Sequence, residues 1–323
     1  MLEISVIIPV YNAAEFLERA VNSALQFDEV KEIVLIEDKS TDRSLEICQK
    51  LVSQNPRIKL YQHPDKGNHG AGASRNLGLE KAQHEFIAFL DSDDHYLPNR
   101  FDVEKTIFTD PKVEGTFGAI GVEYLSEKGK EEYQVKFKNA TLTTVNYPAE
   151  GEEVFRGLLS LTPKTFGTFF HLNALTVRKS SIHKNNLRFN EQLRVHQDSD
   201  FIIKLAHTCY LKSGNITEAV AVRGVHDNNR ITKIKIYSKE YNERQLLLWH
   251  SLYEWSKNKK LDKKVKQRIY LQKKAFEISL KTGLKKILDV FFTALQTPDI
   301  LKTRYRFTYT NDKDENFRSN SRV

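Results

Sequence analysis

Apolar and polar positions fall into alternating blocks over the first hundred residues. Ile4–Pro9 is a near-continuous apolar run and reads as a strand covered on both faces. After Tyr11-Asn12 come Phe16, Leu17, Ala20, Val21, Ala24 and Leu25 at helical spacing. Asn12 is placed to cap that helix, with Glu15 three residues on as a capping box wants. Glu32–Glu37 repeats the strand pattern and ends at Asp38, and Ser40 opens a helix with Leu45, Cys48, Leu51 and Val52 inside. Ile58–Tyr61 follows as a third strand, Gly67–Gly72 as a glycine-rich loop, Ala73–Ala82 as a helix and Phe86–Leu90 as a fourth strand. Strands alternating with helices predict an α/β fold with a doubly wound parallel sheet.

The middle of the chain is less regular. Thr116–Leu125 and Glu132–Lys138 read as strands, with Glu127-Lys128-Gly129-Lys130 turning between them. Residues 151–161 read as a short helix, Leu175–Val177 as a strand, and Asp198–His207 as a helix with Phe201, Ile202, Leu205 and Ala206 inside. From about residue 237 the pattern is helical. The expected organisation is one α/β domain over 1–232, a basic helical region over 233–310 and a disordered tail over 311–323, rich in Asn, Asp, Ser and Arg.

Composition narrows the class. The chain has 323 residues, 40% of them hydrophobic and 11% aromatic, enough for a core and against disorder. No apolar stretch reaches the roughly eighteen residues a spanning helix needs. The N-terminal segment lacks a basic region and a small-residue cleavage site, so it reads as a first strand rather than a signal peptide. Cys48 and Cys209 form no metal-spaced cluster, which argues against zinc and a disulfide framework and for a cytoplasmic setting. The net charge of +8 is uneven: residues 233–323 hold 22 Lys and Arg against 10 Asp and Glu, and the remainder holds 28 against 32. Such asymmetry suits an anionic partner, a membrane surface or a nucleic acid, and equally a solvated helical face.

The fourth strand ends in Asp91, Asp93 and Asp94. Acids this close repel one another unless a cation sits among them, and a hard divalent ion with waters and phosphates is the usual solution. A solvated loop with a helix-capping Asp is the plain alternative. Open α/β sheets place ligands at the carboxyl ends of their strands. Four segments share that edge: Pro9-Val10-Tyr11-Asn12, Ile36-Glu37-Asp38-Lys39-Ser40-Thr41-Asp42, Gly72-Ala73-Ser74-Arg75-Asn76-Leu77-Gly78 and Leu90-Asp91-Ser92-Asp93-Asp94. In order and wording they resemble glycosyltransferase family 2, the inverting nucleotide-sugar transferases of GT-A fold. The resemblance is dense over residues 3–100 and looser over 165–230.

The resemblance implies a GT-A-type mixed sheet, a nucleotide-binding half over 1–100 and an acceptor-binding half over 101–232. It implies that Pro9 and Tyr11 frame the nucleotide base, that Asn12 is among the nucleotide-binding residues, that Asp38 accepts a hydrogen bond from the base, and that Arg75 approaches the nucleotide. Asp91 matches the ribose-binding member of the Asp-x-Asp motif, and Asp93 the ligand to Mn²⁺ or Mg²⁺. Asp94 reads as a helix cap or supporting acid. The catalytic base falls on Asp198 in His196-Gln197-Asp198-Ser199-Asp200-Phe201, where Gln197 replaces the usual Glu; Asp200 and Glu191 compete for the role. His226, in Val225-His226-Asp227, matches a metal-binding His, and Arg230 a phosphate contact, whereas His171, His183 and His207 have no such context.

The function implied is metal-dependent inverting transfer of a sugar, from a UDP-sugar first of all, to a hydroxyl of a surface polysaccharide or lipid-linked glycan. A glycosyltransferase-like scaffold without turnover and a sugar nucleotidyltransferase are the alternatives, and no nucleic-acid partner is implied. The helical region lies outside the resemblance. In Gly283–Ile300, Leu284, Ile287, Leu288, Val290, Phe291, Phe292 and Leu295 run beside Lys285 and Lys286. Such a helix suits peripheral attachment to the inner face of the cytoplasmic membrane, a homo-oligomer interface, or ordinary packing.

Overall fold

A computed structural model describes residues 2–137, 140–167, 169–227 and 238–303. Chain contacts divide it into two units, Met1–Asn229 and Arg230–Val323. The first unit is a mixed α/β structure. Its opening strands are β1 (Ile4–Val10), β2 (Val30–Glu37), β3 (Ile58–Gln62) and β4 (Phe86–Phe89). They alternate with helices α1 (Leu17–Leu25), α2 (Ser44–Gln54) and α3 (Ala71–Lys81). After β4 come β5 (His95–Tyr96), α4 (Glu104–Ile107), β6 (Gly115–Phe117), β7 (Ala119–Tyr124), α5 (Glu127–Phe137) and α6 (Glu152–Leu158). The unit closes with β8 (Leu175–Arg178), α7 (Lys179–Lys184), α8 (Gln197–Thr208), β9 (Leu211–Ser213) and β10 (Ala219–Val225).

Seven strands form the main sheet in the order β3-β2-β1-β4-β8-β6-β9. The first four are parallel, and β8 runs antiparallel between β4 and β6. A second sheet has the order β5-β10-β7. Every residue of β1 and β4 is buried, as their near-continuous apolar runs predict for strands covered on both faces. Val6, Ile8, Ile33, Leu35 and Ala88 join Leu17, Val21, Cys48 and Leu51 of the helices in one core.

Three sequence expectations change. Asn12 does not cap α1, which begins five residues later at Leu17. Asn12 has φ 50 and its side chain is turned to the next loop, where its Oδ1 accepts from the Thr41 amide at 2.8 Å. Likewise Ser40 does not start α2: its Oγ accepts from the Asn12 amide at 3.1 Å, and the helix opens at Ser44. The donors at these turns are satisfied partly between loops and partly within them, as where the Ser44 amide donates to Asp42 Oδ1 at 3.0 Å. Third, Glu127–Phe137 is one helix, so neither the turn expected over Glu127-Lys128-Gly129-Lys130 nor the strand expected from Glu132 forms. The alternation of Tyr133, Val135 and Phe137 imitates a half-buried strand, yet Val135 is 84% exposed while Tyr133 is buried. Tyr133 packs on Phe137 one helical turn away, ring centroids 4.5 Å apart, and that i,i+4 pairing decides the conformation.

The second unit contains α9 (Lys239–Lys257), α10 (Lys263–Ser279) and α11 (Gly283–Gln296). Ser238 and Asp262 cap α9 and α10 by accepting from the Tyr241 and Val265 amides. No helix among the described residues is long and apolar enough to cross a membrane. The tail expected over 311–323 lies outside the described residues.

Candidate active site

The carboxyl ends of β1, β2 and β4 carry the loops that the sequence marks out. Asp38, at the end of β2, is buried and holds the glycine-rich loop. Its Oδ1 accepts from the His69 amide and its Oδ2 from the Gly70 amide, both at 2.7 Å, and the Asn68 carboxamide adds a third donor at 3.1 Å. Gly70 needs its freedom: its φ is +86, and a Cβ there would meet Arg194 Nη1 at 2.5 Å. At Gly72 a Cβ would come within 2.1 Å of Gln197 Oε1. The residue that departs from the family pattern, Gln197, therefore lies against the first turn of α3.

Arg75, one turn into α3, is turned inward and buried. Its Nη2 donates to Asp91 Oδ1 at 2.6 Å and its guanidinium lies 5.5 Å from the centre of the Phe189 ring. Phe189 in turn stacks on Phe201 of α8 at 4.1 Å with an interplanar angle of 8°. The helix that carries Asp198 and the strand that carries the acids are thus joined through Phe201, Phe189 and Arg75. Arg75 Nε is a buried donor without a hydrogen-bond partner, the kind of group a ligand can satisfy.

The three acids occupy different environments. Burial raises the Asp91 pKa, but Arg75 and then His171 outweigh it and hold the carboxyl below its usual range. Asp94 is pushed well above that range by burial and by the charges of Asp93 and Asp91. Asp94 is no helix cap: its Oδ1 accepts from the Gly224 amide at 2.9 Å and its Oδ2 from Asn173 Nδ2 at 2.5 Å. The same Asn173 accepts from the Asp91 amide through Oδ1 at 3.1 Å. Asp93 is the open member, its carboxylate 34% exposed and 3.4 Å from His226 Nε2. The His226 ring leans on Phe16, centroids 4.8 Å apart.

Asp91, Asp94 and His171 each bring one ligand-type atom within 4.8 Å of the others. Each member of this trio already has protein partners. Asp94 spends both oxygens on protein donors, and Asp91 spends one on Arg75. His171 Nδ1 accepts from the Asn173 amide at 3.3 Å, so a neutral ring carries its proton on Nε2 and offers no electron pair there. Burial, then Arg223, lowers the His171 pKa to about 4, which keeps the ring neutral near pH 7. Asp93 and His226 form a second pair with metal-ligand chemistry, and its carboxylate is the more exposed.

Asp198 stands in the first turn of α8, half-buried, its Oδ1 accepting from the Ser199 amide at 3.0 Å. Its charge reaches His171, whose pKa it raises. Its rivals are engaged elsewhere. Asp200 is fully buried against Lys204 Nζ at 2.6 Å, and Glu191 Oε1 accepts from Asn76 Nδ2 at 2.8 Å. Pro9 is buried within β1, and Tyr11 is 43% exposed just beyond it. Arg230 lies outside the described residues. The sequence sets His171 aside and does not single out Asn173 or Arg223; no local pattern marks them, since the segment into β8 and β10 bring them to the acids.

Residues 5–169 match the sequence profile described as "Glycosyl transferase family 2". The cholesterol galactosyltransferase of Borreliella burgdorferi is 31% identical over 227 residues, covering 67% of this chain and 57% of that protein. The chain spans between 36% and 57% of the length of three curated relatives that it matches. Among solved structures, Staphylococcus aureus TarS 1–349 in complex with UDP-GlcNAc superposes with a TM-score of 0.60 at 20% identity, over 89% of this chain and 78% of that one. The mannosyltransferase PcManGT from Pyrobaculum calidifontis, in complex with GDP-Man and Mn²⁺, gives 0.55 at 15% identity, over 95% and 84%.

Proposed function

The chain belongs to glycosyltransferase family 2, and we propose that it transfers a sugar, with inversion, from a nucleotide diphosphate donor to a hydroxyl of a surface polysaccharide or lipid-linked glycan. UDP is the first nucleotide to test. The observation that carries this reading is the meeting of three parts at one sheet edge: the Arg75–Asp91 pair, the open Asp93–His226 pair, and Asp198 on the helix tied to them through Phe201 and Phe189.

In this reading Pro9, Tyr11 and Asn12 border the base, and Asp38 acts through the loop it holds. Arg75 supplies its spare Nε donor to the nucleotide, and Asp91 accepts from the ribose. A divalent ion, Mn²⁺ or Mg²⁺, held by Asp93 and His226 would neutralise the diphosphate and so improve the leaving group. Asp198 takes the proton of the acceptor hydroxyl as its oxygen bonds to the anomeric carbon. The bond from that carbon to the phosphate oxygen breaks on the opposite side, and the nucleotide diphosphate leaves with the electron pair. His171, neutral with its proton on Nε2, is a hydrogen-bond donor beside Asp91 rather than a base.

Calorimetric titration of UDP, GDP and dTDP, each with Mn²⁺ and with EDTA, tests the donor half. Metal-dependent binding of one nucleotide is the expected result; no binding of any of them by the folded protein sinks the proposal and favours the scaffold alternative. Slow release of free sugar from the matching nucleotide sugar then tests turnover, and pyrophosphate release would instead mark a nucleotidyltransferase.

A further inference from the structure

In the second unit, α11 is arranged the reverse of a water-facing helix. Its inner side carries Thr293, buried, with Val290 and Ala294 packed against Leu271, Ala275, Ile278 and Ile300. Asp289, the helix's one acid, also faces inward, held by Lys274 at 3.0 Å and Lys281 at 2.6 Å. The outer side carries Leu284, Ile287, Leu288, Phe291, Phe292 and Leu295, each between 43% and 69% exposed. At 3.6 residues per turn these six fall within an arc of about 140°. A contiguous apolar stripe of this kind marks an interaction site, because scattered single residues are the norm on a soluble surface.

We propose that the outer face of α11 seats the chain on an anionic lipid surface, with the helix lying in the plane of the interface. Length excludes crossing: fourteen residues extend about 21 Å, short of a hydrocarbon core of about 30 Å. Charge selects the partner. Residues 233–323 carry 22 basic against 10 acidic side chains, and Lys285 borders the stripe beside Phe292. Acids of this unit are tied up by its own lysines: Glu277 by Lys274 and Lys281, Glu254 by Lys257, Asp299 by Lys302. A second copy docking through the same face would bring two strongly basic units together, whereas anionic headgroups meet that charge favourably. Apolar side chains entering the headgroup boundary and cations steering the approach are the two components of such a seat.

The inference does not rest on sugar transfer, and its test does not use it. The full chain is mixed with vesicles of phosphatidylcholine, with and without phosphatidylglycerol, and floated on a density gradient. Flotation is expected with the anionic vesicles. The double variant Phe291→Asp, Phe292→Asp should reduce binding on the order of a hundredfold or more while keeping the native circular dichroism spectrum. Both side chains are exposed, so the fold does not depend on them. Equal flotation of the variant overturns the proposal, and equal binding to neutral vesicles overturns the anionic assignment. A chain that floats with neither lipid overturns it too. If light scattering then finds a dimer that the double variant dissolves, the face is a subunit interface.

Discussion

Arg75 and Asp91 form an ion pair of 2.6 Å in which the arginine side chain is only 7% exposed. Arg75 is the largest influence that holds the Asp91 carboxyl below its usual range, and Asp91 in turn helps push Asp94 above it. Removing one partner of a buried pair leaves the other uncompensated. Arg75→Ala should destabilise the protein by about 3 kcal/mol, read from urea unfolding, and should weaken nucleotide binding in the same sample. Arg75→Lys restores charge without the planar fork and should fall between the two.

Titration of Mn²⁺, followed by its paramagnetic resonance signal, separates the two clusters of possible ligands. Asp93→Asn and His226→Ala should each weaken binding by more than the roughly 10- to 100-fold typical of an outer partner. His171→Ala should leave it nearly unchanged, because its Nε2 carries a proton rather than an electron pair. A large loss with His171→Ala alone would move the metal to Asp91, Asp94 and His171.

Asp198→Asn keeps the volume of the side chain and removes the base. Nucleotide binding should survive, while transfer should fall by about 10²- to 10⁴-fold. Asp200→Asn, by contrast, strips the partner from a buried Lys204 contact of 2.6 Å and should show up chiefly as lost stability. Normal transfer by a folded Asp198→Asn protein would remove the catalytic assignment.

Burial pushes the thiols of Cys48 and Cys209 up to about 12. Thiolate is the reactive form, so almost none exists at pH 8 in the native state. Ellman's reagent should therefore find close to no thiol in the folded chain and both after denaturation. Rapid reaction of either cysteine in native buffer would contradict the packing of α2 or of the segment after α8.

The first hundred residues were legible because apolar residues dominate β1, β2 and β4 and helical spacing separates them. β1 to β4 and their acid-tipped edge follow from composition and order alone. What the sequence concealed is non-local. Asn12 and Ser40 have the chemistry of helix caps, but their neighbouring loops offered each other better partners. The alternation Tyr133-Gln134-Val135-Lys136-Phe137 fits a strand until Tyr124, which also meets Tyr133, supplies a surface for one helical face. That Asp38, Arg75, Asp91 and Asp93 gather at the carboxyl ends of β2 and β4 was readable from motif order. Asn173, His171 and Arg223 were not, since their roles exist only once β8 and β10 have closed against the acids.

Asn173 gives that closure a temporal meaning. Asp91 and Asp94 are made early in synthesis, whereas their clamp comes 82 and 79 residues later. Gly224, the other donor to Asp94, follows 130 residues behind it. Until then β4 is an open edge, and the crowded acids have only Arg75 to restrain them. The acidic loop after β4 thus takes its last hydrogen bonds only once residues far down the chain, Asn173 and Gly224, have been made.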